Sequence, residues 1–245
     1  MKIFVTGGTG YIGSHTVVEL QKNGYDVIIA DNLVNSSLDV LDGIEKITGI
    51  RPEFEEIDLT DREVTRDFFA RHSDVRAVIH FAALKAVGES VNKPLEYYFN
   101  NLNSLMNVLT CMREFKVPNL VFSSSCTVYG QADVLPVTEK TPRHEAESPY
   151  GNTKVMSEDI IRDLMRVEPD MKALALRYFN PIGAHPTAFI GELPNGVPNN
   201  LIPYLTQTAI GIREQLSVFG DDYNTPDGSP LRDYIDVVDL AKAHV

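Results

Sequence analysis

Seven residues near the start, Gly7-Gly8-Thr9-Gly10-Tyr11-Ile12-Gly13, follow the apolar run 3–6 and open a helical pattern over 13–23. A strand that turns through glycines into a helix brings backbone amides and a helix N-terminus to one point, where a pyrophosphate can be received. The string fits G-x-x-G-x-x-G through Gly7, Gly10 and Gly13, and G-x-G-x-x-G through Gly8, Gly10 and Gly13. Glycines alone also suit a merely tight turn, so context decides. Asp31 supplies it, ending the second apolar run 18 residues after Gly13. That is close to the ~20 expected of the acid that binds adenosine ribose hydroxyls, and a carboxylate there disfavours a 2′-phosphate. Asp58-Leu59, after the third run, suits the adenine edge.

Short β-branched runs recur at 3–6, 27–30, 53–57, 77–82, 120–125, 173–178 and 216–219, between helical patterns at 13–23, 61–71, 94–115, 149–165 and 199–212. Such alternation predicts an α/β fold with a doubly wound, Rossmann-type parallel sheet and ligands at the carboxyl ends of its strands. Composition shifts after about Asn180, which divides a dinucleotide-binding domain over 1–180 from a region over 181–245. Pro and Gly cluster from Pro181 to Pro198, as in a long functional loop. The last pattern, 234–245, starts a helix and stops at Val245 with no cap. Truncation is the expectation there.

With 22 Lys+Arg against 34 Asp+Glu, the net charge of −12 opposes phosphate backbones, and no basic run interleaved with aromatics offers a nucleic-acid footprint. Cys111 and Cys126 make no disulfide framework. Apolar runs fall far short of the ~18 residues of a membrane span, and the first strand breaks into glycines too early for a signal peptide. A cytoplasmic location without membrane association is expected.

Tyr150 and Lys154 stand four apart at the start of a helical pattern and so share a face. They follow a strand ending in Ser123-Ser124-Ser125. A phenol beside an ammonium is expected to ionise more readily than its unperturbed pKa of ~10 implies, giving a general base for an alcohol, with the Ser125 hydroxyl sharing the proton. Cys126 reads as a small structural residue. The six histidines have no metal-ligand spacing, so no metal is expected, and no G-x-S-x-G elbow is present. The group Tyr97-Tyr98-Phe99-Asn100-Asn101 reads as core or subunit contact.

Gly7–Gly13 with Ser125, Tyr150 and Lys154 resembles the extended short-chain dehydrogenase/reductase superfamily. The longer strings 80–91, 124–130, 178–186, 198–204 and 231–235 narrow the resemblance to the UDP-glucose 4-epimerase family. It implies NAD as cofactor and UDP-glucose and UDP-galactose interconverted at C4 through a 4-keto sugar, with Tyr150 as base and Lys154 and Ser125 beside it. It assigns to NAD Gly7, Gly10, Tyr11, Ile12, Gly13, Asp31, Asn32, Leu33, Val34, Asn35, Ser36, Asp58, Leu59, Phe81, Ala82, Ala83, Leu84, Lys85, Asn100, Ser123, Tyr150, Lys154, Tyr178 and Phe179. To the UDP-hexose it assigns Ser125, Tyr150, Asn180, Asn200, Leu201, Ser217, Val218, Phe219 and Arg232. A homodimer through the helices 94–115 and 149–165 is also implied. Members usually carry Ala at Cys126 and His at Asp236, and their chains run on beyond this point, so the resemblance implies an NAD-binding domain over 1–180 and, over 181–245, the first part of a smaller C-terminal substrate domain, with a strand and helix returning to the main body. Two alternatives stand beside this reading: a 4,6-dehydratase of the same superfamily, which needs an acid where Cys126 and Thr127 stand, and an NAD-binding fragment without turnover.

Overall fold

The run Ile3-Phe4-Val5 has no polar alternation, as in a strand covered on both faces, and all three side chains are buried. In the computed structural model, which describes residues 1–245, this run forms β1 (Lys2–Thr6) in the middle of the sheet. In chain order there follow α1 (Tyr11–Lys22), β2 (Asp26–Asp31), α2 (Asp39–Thr48), β3 (Glu53–Glu56), α3 (Arg62–Arg71), β4 (Val75–His80), α4 (Val87–Asn92) and α5 (Pro94–Glu114). The second half holds β5 (Asn119–Ser123), α6 (Pro149–Val167), β6 (Lys172–Leu176), β7 (Asn180–Ile182), α7 (Leu201–Ala209), β8 (Tyr234–Asp236) and α8 (Val237–Ala243).

Six strands pair in the order β3-β2-β1-β4-β5-β6, every pair parallel. Chain order reverses between β1 and β4, which opens a crevice at their carboxyl ends. Alternate side chains serve opposite faces. Phe4 and Ile28 enter a core of 18 buried residues with Phe68, Leu105 and Ile161 from α3, α5 and α6. Ile3, Val5, Val27 and Ile29 enter a second core of 11 residues with Val17 of α1 and Ile44 of α2. Each such side chain contributes about 1.5–3 kcal/mol when fully buried.

Helix starts follow their caps. Asp61 accepts from the amides of Glu63 and Val64 to begin α3, and Ser148 accepts from Gly151 N to begin α6, with Pro149 in its first turn.

Two expectations need correction. Residues 216–219 form no strand; β-branched residues favour extension, but a strand exists only by pairing, and here Val218 and Phe219 are 81% and 88% exposed. A different pair, β7 with β8, makes a second parallel sheet. The stretch after Ser36, where no helix is expected, forms α2, whose Leu41 and Ile44 face the core and which ends at Gly49 in a left-handed conformation (φ +76°). No helix is long and apolar enough to cross a membrane.

Candidate active site

The crevice is lined first by the turn from β1 into α1. Gly7 has φ +67°, and a Cβ on it would lie 2.8 Å from Ala82 N. A Cβ on Gly13 would overlap the Gly7 carbonyl and sit 2.9 Å from Gly8 Cα. Gly10 precedes α1 with no side-chain cap, and the first turn holds no acid. The first-turn amides therefore stay available to an anion.

Asp31 pins the neighbouring loop. One carboxylate oxygen accepts from Leu33 N at 2.9 Å and Ser36 Oγ at 3.3 Å, the other from Thr9 N at 3.3 Å. Leu33 is thereby held at φ +59°, a left-handed backbone that a branched side chain seldom adopts. Across the crevice, Phe81 N donates to Thr6 O and Ala82 N to Thr6 Oγ1, which fastens the 81–85 loop to β1. Asp58 accepts from Thr60 N, while Leu59 is buried in the larger core.

At the end of β5 the structure gathers the predicted chemistry. Lys154 Nζ, 4% exposed as a residue, donates to Ser123 O at 2.8 Å and lies 5.8 Å from the Tyr150 ring centre. Ser123 and Tyr178 share a short hydroxyl–hydroxyl bond. Burial pushes Lys154 down to about 8, with Glu158 opposing. It also pushes Tyr150 up to about 12, while a hydrogen bond with Ser125 pulls the other way. The expected easing of the phenol by the ammonium is thus not what this arrangement produces. The ammonium is turned to a carbonyl, and desolvation of the phenolate outweighs everything else. Cys126 is also raised by burial, as suits a structural residue.

The residues expected to hold a UDP-hexose are less gathered. Asn180 donates to Asp233 O, and Asn200 and Leu201 start α7. Ser217, Val218 and Phe219 lie on an exposed segment, and Arg232 donates to Leu231 O without a carboxylate partner.

The chain matches the NAD dependent epimerase/dehydratase family over residues 3–245. It belongs to that family. Among relatives, the UDP-glucose 4-epimerase of Bacillus subtilis is 54% identical over 245 residues, covering 100% of this chain and 72% of that protein. The bifunctional protein GAL10 of Pachysolen tannophilus is 55% identical over 247 residues, 99% of this chain and 36% of that protein. A crystal structure of UDP-glucose 4-epimerase from Bifidobacterium longum, in complex with NAD+ and UDP, superimposes with a TM-score of 0.96 at 48% identity, covering 100% of this chain and 72% of that one.

The cofactor of this NAD dependent family fits the residues present. The cradle that a Cβ would fill, the uncapped start of α1 and the Asp31 carboxylate at the end of β2 are the three features a dinucleotide requires.

Asn101, expected only as a core or subunit contact, has a more specific part in the candidate site. Asn101, 4% exposed on α5, accepts from Leu84 N at 2.8 Å and donates to Leu84 O at 3.0 Å and Thr153 Oγ1 at 3.1 Å. It clamps the 81–85 loop to α6, and Asn100 reaches the site only through it. The signal was an amide inside a long apolar helix. Asn101→Leu leaves the Leu84 amide and carbonyl unpaired. Urea denaturation should show a loss of about 2–4 kcal/mol, and the purified variant should retain less NAD; a loss under about 1 kcal/mol contradicts the clamp.

Proposed function

We propose that this chain carries a UDP-glucose 4-epimerase activity, interconverting UDP-glucose and UDP-galactose. The observation that carries it is the placing of Tyr150, Ser125 and Lys154 at the end of β5, beside the cradle between β1 and β4. The names of the relatives supply the substrate class.

NAD, when bound, supplies a hydride acceptor and donor for C4 of the hexose. Tyr150 takes the proton of the 4-hydroxyl and returns it, and Ser125 shares that proton. The product of the first half is a 4-keto sugar, which must turn over before its reduction. Lys154 fixes the Ser123 carbonyl and, through the Ser123 hydroxyl, the Tyr178 phenol. Asn180, Asn200, Leu201, Ser217 to Phe219 and Arg232 hold the nucleotide while the hexose turns. Arg232 suits a diphosphate through paired charged hydrogen bonds. The same reading includes a homodimer through α5 and α6, where Leu95, Phe99 and Met156 are exposed.

The test uses purified protein. NAD should co-purify, and UDP-galactose should be converted to UDP-glucose with no net NADH. A released 4-keto-6-deoxy product would assign a dehydratase instead; Cys126 and Thr127 provide no acid for that step. NAD binding without conversion would leave a binding domain alone.

A further inference from the structure

Glu192 lies between β7 and α7 and is drawn into the site from both sides. Its carboxylate side chain is only 10% exposed. Oε1 accepts from Asn200 Nδ2 at 2.6 Å and stands 3.8 Å from Lys85 Nζ. Lys85 ends the loop that Asn101 clamps. Tyr11 at the start of α1 is the third neighbour: burial first, and the Glu192 charge after it, push its phenol up.

The conformation of Asn200 gives this contact meaning. It is the residue before α7, with extended backbone (φ −89°, ψ 149°), where an Asn side chain ordinarily accepts from the first-turn amides. Here it caps nothing and is turned to Glu192. A local capping bond worth about 1 kcal/mol is given up for a contact across eight residues of chain. Lys85 is 57% exposed, but the carboxylate of an ordinary surface ion pair shows neither this burial nor this diversion of a neighbouring side chain.

We propose that Glu192 is a positioning residue for the nucleotide-sugar half of the site. Its carboxylate ties Asn200, and with it the start of α7, to Lys85 on the cofactor side. The ligand class, a uridine diphosphate, rests on the function proposed above. The bridge sets how far the two halves stand apart before any ligand arrives, which is the kind of preorganisation that reduces the cost of binding.

Calorimetric titration with UDP, on the NAD-loaded protein, tests this. Glu192→Ala should raise the Kd for UDP about tenfold. Glu192→Gln keeps an acceptor for Asn200 but loses Lys85, and should raise it only about threefold. Hydrogen exchange separates positioning from general destabilisation: amides bonded within α7, from Tyr204 onward, should exchange faster in Glu192→Ala, those of β1 and β4 unchanged, and Gln should restore them. A Kd within twofold of wild type in both variants, or tighter binding on removal of the negative charge, overturns the proposal, as does a wild type that takes up no UDP. If wild type binds UDP without interconverting UDP-hexoses, the function fails while the bridge is still decided by the affinities.

Discussion

Replacing Tyr150 with phenylalanine should lower UDP-hexose interconversion by about 10²- to 10⁴-fold and cost little NAD, because the variant removes one oxygen and leaves the glycine cradle, the start of α1 and Asp31 in place. The ring keeps its place at the first turn of α6, and Lys154 still has its Ser123 carbonyl. Turnover measured with UDP-galactose, beside NAD released on denaturation, checks both halves. Activity within tenfold of wild type would remove Tyr150 from the chemistry. The phenol has its own signature. It is pushed from 10.0 up to about 12 by burial, with Ser125 pulling it down. In the cofactor-free protein, the phenolate difference spectrum between wild type and Tyr150→Phe should therefore be flat through pH 10. A folded-state pKa above the unfolded one means that stability from this group is complete below pH 10 and lost as pH rises toward 12. The Phe variant lacks that loss.

The parallel, doubly wound sheet was readable because it depends on patterns the chain carries locally. Runs such as Val27-Ile28-Ile29-Ala30 announce burial on both faces, and helices between them force parallel pairing. Residues 216–219 carry the same local signal and fail, since pairing depends on a neighbour that sequence does not name. In the site, the spacing of Tyr150 and Lys154 gave a shared helix face. It could not show that the lysine reaches back to Ser123, nor that burial outweighs charge at the phenol. The clamp at Asn101, expected only as core or subunit contact, and the whole of Glu192 were hidden for a related reason. Their partners lie 17 residues away at Leu84 and 8 residues away at Asn200, and what one polar residue in a helix or loop holds is not visible until those partners are known.

Glu158 shows the same dependence at its largest expected effect. It sits one turn beyond Lys154 on α6 with its side chain 5% exposed. One oxygen accepts from Ser124 Oγ at 2.5 Å and Arg177 Nε at 2.8 Å; the other accepts from Arg177 Nη2 at 2.6 Å and Arg143 Nη2 at 2.7 Å. Burial raises this carboxyl, but the Arg177 and Ser124 bonds outweigh it and hold the group below its usual range. Glu158→Ala strands the Arg177 guanidinium, whose side chain is 21% exposed, and frees the serine beside Ser123 and Ser125. Removing one partner of a buried pair leaves an uncompensated charge, so equilibrium denaturation should show a loss of about 3–5 kcal/mol. Adding Arg177→Met to that variant should recover part of the loss, because the stranded charge goes with it. If the alanine variant does not accumulate, Glu158→Gln keeps the shape and remains measurable. It also reports on the site: Glu158 raises Lys154 against burial, so without its charge Lys154 should titrate below about 8 and any alkaline limb set by the ammonium should move to lower pH. A Gln variant with wild-type stability and an unmoved profile would show that the cluster supports neither the fold nor the lysine.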